Sequence, residues 1–286
     1  MAPLAVGLIL LSAGTHVYWN YQLKRSPAPA LCSWWIMAMG ALLGIPFALW
    51  LAWPLRVPAA GWLCVLGTGL LYAVYFSLIA LSYDRDDLSR AYPVARGVAP
   101  VATAVWGVLY HNEQPSMEGW LGILGIVLGL LFLALPGLRR GGSPVPVAGF
   151  LAAIGTGLCI SAYSAVDKAG VTYVHPVLYI TLTYALGALA QGALLLPGRL
   201  WRDFAAEGRR LGVELVTLAA ASVGGYLLIL FVLRSENVSY VVPVRSVSVL
   251  LGVLAGSRFL GEKGGWTRIA AAVLILLGIT LIALRG

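Results

Sequence analysis

Charge is what this sequence has least of. Only 10% of its 286 residues are Asp, Glu, Lys or Arg, against about 25% in an ordinary soluble domain. Hydrophobic residues make up 60% and the mean hydropathy is +0.89, which excludes a soluble globular protein. Histidine and cysteine are scarce too, at three each. His16, His111 and His175 stand in separate segments, and Cys32, Cys64 and Cys159 stand singly in apolar stretches without CxxC spacing. No metal-ligand or redox cluster is written into the chain. Neither HExxH nor GxSxG occurs, and no two acids share a mid-membrane face, so the usual constellations of a membrane-embedded enzyme are missing. No catalytic residue, metal or cofactor is expected.

What remains is long apolar runs. A spanning helix needs roughly 20 apolar residues, and ten such segments fit, at about 3–22, 30–51, 61–83, 91–113, 119–135, 146–166, 176–196, 211–233, 240–260 and 266–284. The first lacks a basic leader region and a cleavage site and is read as a retained span. Trp50 and Trp53 are an interfacial anchor. Residues 197–210, with Arg199, Arg202, Arg209 and Arg210, are expected to lie as a short helix at the membrane surface. The net charge of +8 belongs mostly to loops, where the positive-inside rule accounts for it, and no nucleic-acid partner is expected.

The charged and glycine positions that do occur form a repeat. Arg96 and Arg245 are 245 − 96 = 149 residues apart, and the same offset pairs Gly107 with Gly256, Glu113 with Glu262 and Gly129 with Gly278. Tyr92 and Pro93 precede the first Arg as Tyr240 and Pro243 precede the second. Ala162-Tyr163-Ser164 followed by Lys168 echoes Tyr18-Trp19-Asn20 followed by Lys24. The chain thus divides into a first repeat (1–137, spans 1–5), a hinge loop (138–145) and a second repeat (146–286, spans 6–10). Five spans per half is an odd number, so the second half enters the bilayer inverted. The expected fold is all-α and integral to the membrane, with ten transmembrane helices in two inverted five-helix repeats.

Polar groups inside the spans mark candidate site residues, because lipid offers them no partner. His16 and Asn20, four apart on one face, look into the protein, with Trp19 beside them; the alternative is a helix–helix hydrogen bond that holds the bundle together. Arg96 lies about 8 Å along the fourth span at about 1.5 Å per residue. Snorkelling to the interface is the alternative, and the second Arg at the matching position argues for a shared cavity. Tyr72, Tyr75 and Phe76 either stack a ligand or pack together. Tyr92, Tyr163, Ser164, Tyr226 and Ser248 supply further donors and rings around Arg96 and Arg245. Glu113, Arg258 and Glu262 are read as structural or gating residues, Arg258 and Glu262 being four apart and so placed for a local ion pair.

These paired blocks, Gly107, Glu113 and Gly129 with Gly256, Glu262 and Gly278, each following a membrane Arg, resemble the EamA domains of the drug/metabolite transporter superfamily. The resemblance covers essentially the whole chain. It implies ten helices, alternating access, and export or exchange of small metabolites such as amino acids, with a central cavity lined by helices one, three, four, six, eight and nine. His16, Trp19, Asn20 and Lys24, with Tyr92-Pro93-x-x-Arg96-Gly97, are similar to a subgroup associated with phosphonate utilisation. The first block departs from the usual Gly–Glu pair, having Asn112 before Glu113, which puts a tight turn there in question.

All 11 acidic residues fall in loops or within about a turn of a predicted helix end, so no free mid-membrane carboxylate is expected. That disfavours a hydrophobic-cation exporter. Two inward Arg residues suit paired oxygens of a phosphonate, phosphate or carboxylate, and the expected substrate is a small anionic or zwitterionic metabolite. If protons rather than a counter-substrate drive transport, His16 is the mid-span group that titrates near neutral pH. Lipid surrounds the protein, which is expected in the bacterial inner (plasma) membrane as a monomer or homodimer. A protein that translocates lipid or lipid phosphate could use the same arginines on a headgroup, and it and a cation or drug exporter are the alternatives. Loops after odd-numbered spans carry twelve basic residues and the opposite side four, which puts both termini outside the cytoplasm, whereas the family resemblance implies both inside.

Overall fold

The structure, a computed structural model, describes residues 1–51, 53, 56–85, 88–139, 147–198, 201–251 and 266–285. Pro3 and Pro176 open α1 (Pro3–Arg25) and α7 (Pro176–Leu195) at positions where a missing N–H costs nothing. The other helices are α2 (Pro29–Leu51), α3 (Ala59–Arg85), α4 (Leu88–His111), α5 (Met117–Arg139), α6 (Val147–Tyr173), α8 (Trp201–Leu211), α9 (Glu214–Leu233), α10 (Val238–Arg245) and α11 (Trp266–Arg285). Among the described residues there is no strand, and α2, α3, α6, α7 and α9 are each long and apolar enough to cross a membrane. Helices from the two halves of the chain interleave: α1 packs on α9, α2 on α7, α3 and α4 on α6, and α5 on α11.

Several helices outrun the ends that hydropathy assigns them. Lys24 and Arg25 lie in the last turn of α1 rather than in a loop, and helical structure extends from both sides into the charged stretch 84–90. Most consequential is α6, which continues to Tyr173 rather than stopping at residue 166 and carries Asp167 and Lys168 inside it. The expectation that every acid lies near a helix end is therefore wrong: Asp167 is six residues from the end and fully buried. Three hydroxyls on other helices provide the hydrogen bonds that let it stay there.

The two echoing lysines do the same work. Lys24 Nζ donates to the Tyr83 carbonyl near the end of α3, at 2.5 Å. Lys168 Nζ donates to the Leu233 and Glu236 carbonyls at the end of α9, at 2.9 and 2.8 Å. Each ammonium meets unsatisfied carbonyls and the negative end of a helix dipole.

The expected surface helix is α8. It buries Phe204, Glu207 and Leu211 and leaves Trp201 and Arg202 exposed. Trp35 Nε1 donates to the Phe204 carbonyl at 2.7 Å, and Arg210 bridges to Glu207 at 2.6 Å.

The α4–α5 turn closes despite having Asn112 where glycine is usual. Asn112 adopts φ 51°, a left-handed conformation that asparagine tolerates better than most residues. The chain folds back so that Glu113 N–H reaches the Gly107 carbonyl at 3.0 Å. The Glu113 carboxylate then crosses the bare face of Gly107 and accepts from the N–H groups of Val238 (2.7 Å) and Ser239 (3.0 Å) at the start of α10. A Cβ on Gly107 would collide with that carboxylate, which is the physical reason for the paired Gly and Glu. Glu113 thus caps the start of α10. Glu113→Ala is expected to cost about 2 kcal/mol, the upper range for an N-terminal cap, read as a lower unfolding temperature in detergent, with Glu113→Gln losing less. Arg258, Glu262, Gly256 and the greater part of the hinge loop lie outside the described residues.

Candidate functional site

α1 carries His16 and Asn20 on its buried face, and the structure separates their roles. Asn20 takes the helix–helix role: its amide donates to the His16 carbonyl at 2.8 Å and its oxygen accepts from the Tyr83 hydroxyl at 2.9 Å. His16 stands between the two arginines. Arg96 Nη2 contacts His16 Nε2, and Arg245 Nη2 lies 3.4 Å from His16 Nδ1. The 149-residue offset therefore brings its two cations to opposite edges of one imidazole ring.

Each Arg reaches this point by a different route. α4 begins at Leu88, three residues earlier than expected, so Arg96 lies about 12 Å along its helix. Its side chain is 2% exposed, which rules out snorkelling. Arg245 ends α10, where the helix is interrupted at Ser246 before helical structure resumes over 247–251. Pro243 lies three residues before Ser246, and the Ser246 N–H turns to the Pro243 carbonyl at 2.9 Å. Ser248 lies beyond the interruption, buried.

Aromatic rings wall the arginines. Arg245 covers the Tyr226 ring at 4.8 Å. Tyr72 meets Tyr163, Tyr184 and Tyr226 edge to face at 5.0, 5.5 and 6.0 Å, and Tyr75 meets Tyr163 at 5.6 Å. Trp19 packs on His16 and Phe76. The rings pack against one another. Ser164 is buried on α6 beside Tyr163 in sequence; the side chain of Tyr92 lies outside the described residues. Between α3, α4 and α6 lies a small cleft lined by Tyr75, Ser82, Tyr83, Arg96 and Thr156.

Two buried polar atoms here have no hydrogen-bond partner among the described residues: Arg245 Nε and Tyr72 Oη. A buried donor without a partner costs about 1–3 kcal/mol. A neutral imidazole has one acceptor nitrogen, so it can accept from one guanidinium only, and its other edge sets donor against donor. The site is therefore rich in donors and positive charge.

Sequence reading missed Asp167, and of its three partners it named Tyr226 alone, as a group beside the arginines. Asp167 Oδ1 accepts from Thr68 Oγ1 (2.6 Å) and Tyr179 Oη (2.9 Å), and Oδ2 accepts from Tyr226 Oη (2.5 Å). Tyr226 thus joins this carboxylate to Arg245. An intramembrane acid beside a lysine that echoes Lys24 was the available signal.

The sequence model of the EamA-like transporter family matches residues 1–135 and 147–284. An uncharacterized transporter of Bacillus subtilis, YwfM, is 26% identical over 246 residues, covering 82% of this chain and 78% of that protein. Shorter matches are to the multidrug resistance protein EbrA of Bacillus atrophaeus, 33% identical over 22% of this chain and 61% of that protein, and to NepA, a nicotine metabolites export pump subunit of Paenarthrobacter nicotinovorans, 35% identical over 23% and 56%. A solved crystal structure, 20% identical, superposes with a TM-score of 0.73 over 98% of this chain and 95% of its own, and so has the same fold. Family and relatives indicate membrane transport rather than enzymatic activity, and with the match running through nearly the whole sequence this chain belongs to the EamA-like transporter family.

Proposed function

We propose that the protein is a secondary transporter of the bacterial inner membrane that moves a small anionic or zwitterionic metabolite, of amino-acid, organic-acid or phosphonate type, by alternating access around Arg96 and Arg245. The observation that carries this reading is the pair of buried guanidinium groups flanking His16, with Arg245 Nε unpartnered. Like charges held that close in a buried space repel, and an entering anion relieves the repulsion while accepting from the free donor. Ten spans in two inverted repeats are the matching architecture. The break in the family match at residues 136–146 and the paired lysine caps support it.

Asp167 favours a second reading, export of a cation or drug, since an intramembrane carboxylate among tyrosines suits a positive charge. Against it, both carboxylate oxygens already accept hydroxyl hydrogen bonds. A thermal-shift screen of purified protein separates the two. The expected result is stabilisation by 2-aminoethylphosphonate, amino acids or organic acids, reduced in Arg96→Gln and Arg245→Gln, because a ligand that binds the folded state stabilises it. Stabilisation by lipophilic cations alone, unchanged in both variants, overturns the anion reading.

A further inference from the structure

We propose that Asp167 is the proton-binding residue of the transport cycle, coupled to the anion site through Tyr226 and Arg245 with a sign that makes proton and anion travel together. This rests on the anion reading of the same site.

Asp167 is 0% exposed within α6, and its partners are neutral hydroxyls from three other helices: Thr68 of α3, Tyr179 of α7 and Tyr226 of α9. No ammonium or guanidinium touches it among the described residues. Lys168, next in the chain, is turned to the end of α9. The other titratable groups nearby are Cys64 and Tyr72 of α3, Tyr184 of α7, Tyr163 of α6 and Arg245 of α10, with Arg96 and His16 beyond Arg245. A buried carboxylate without a direct counter-charge is costly as an anion, yet three donors favour that anion. The two protonation states are set against each other, as a residue that loads and unloads a proton requires.

Proton binding has a defined local course. A proton from bulk water forms an O–H bond at Oδ2. Tyr226 then changes from donor to acceptor in that contact, and its own hydrogen rotates away; deprotonation reverses both steps. The electrostatic consequence falls on Arg245, which lies over the Tyr226 ring. Ionised Asp167 offsets part of the guanidinium charge, whereas neutral Asp167 leaves that charge to an incoming anion. Protonation thus strengthens anion binding, and by linkage the anion strengthens protonation. His16 serves this role less well, since a proton there would place three positive charges side by side.

The test is a pH titration of the full chain in lipid nanodiscs by infrared difference spectroscopy, following the carbonyl stretch of the protonated carboxyl in wild type, Asp167→Asn, Arg245→Gln and Tyr226→Phe. The expected result is a band that fades as pH rises and is missing in Asp167→Asn. In Arg245→Gln and Tyr226→Phe it persists to a pH higher by about one unit, the scale on which a neighbouring charge or hydrogen bond acts. The proposal is overturned if no such band titrates, if Asp167→Asn keeps it, or if Arg245→Gln leaves its midpoint in place. Should Asp167→Asn fail to fold, the other two variants still decide. No substrate is needed, so failure here is distinguishable from failure of the anion site, which the thermal-shift screen reads.

Discussion

Arg245→Gln is expected to weaken binding of the stabilising anion by about a hundredfold or more while leaving the protein folded. Truncating one partner of a buried, hydrogen-bonded charge pair costs about 2–5 kcal/mol, and about 2.8 kcal/mol is a hundredfold at the tenfold-per-1.4 rule. Arg245 sits at the end of α10 with Nε free, Nη2 on His16 and its plane over Tyr226. Gln keeps an amide donor and most of the volume but loses the charge and the fork. Arg245→Lys keeps the charge and loses the fork, so its loss falls between wild type and Gln. Isothermal titration of the three proteins gives the order directly. Equal affinities in all three would remove Arg245 from the site.

Gly122→Ala is expected to destabilise the protein by about 3 kcal/mol, whereas Gly125→Ala, one turn along the same helix, changes stability by less than about 0.5 kcal/mol. Both face α11. A Cβ at Gly122 would stand 2.7 Å from the Gly278 carbonyl oxygen and 2.7 Å from Ile282, a distance that backbone cannot yield without moving the helix. A Cβ at Gly125 would stand 3.4 Å from the Leu274 carbonyl, and its other neighbours are farther. The same chemical change thus meets two distances on one helix face. Unfolding temperatures in detergent compare them. Equal shifts would mean that α5 and α11 do not pack as closely as this.

Much of the fold can be read from residue types. The long apolar runs mark the helices, the glycines at 122, 125 and 129 mark the close face of α5, and the Arg-rich stretch 197–210 marks the surface helix. Arg96, Arg245 and His16 were legible because an isolated charge or imidazole inside an apolar run needs a reason. Asp167 was not legible for a related cause. Hydropathy ends a span where opposite charges sit side by side, as they do at Asp167 and Lys168. What keeps α6 helical past that point is supplied by Thr68, Tyr179 and Tyr226, 99, 12 and 59 residues away in sequence. The interruption at Ser246 was hidden likewise, since a Pro within a span is compatible with either a kinked or a continuous helix.

The account turns on whether the buried arginines hold a transported anion. Proteoliposomes containing wild type, Arg96→Gln or Arg245→Gln, assayed for uptake of a radiolabelled anion chosen by thermal shift and, in parallel, of tetraphenylphosphonium, measure this directly. The account predicts saturable uptake of the anion by wild type, loss of it in both variants, and no specific uptake of the cation. Transport of tetraphenylphosphonium without the anion, or anion uptake undiminished in both variants, would contradict it.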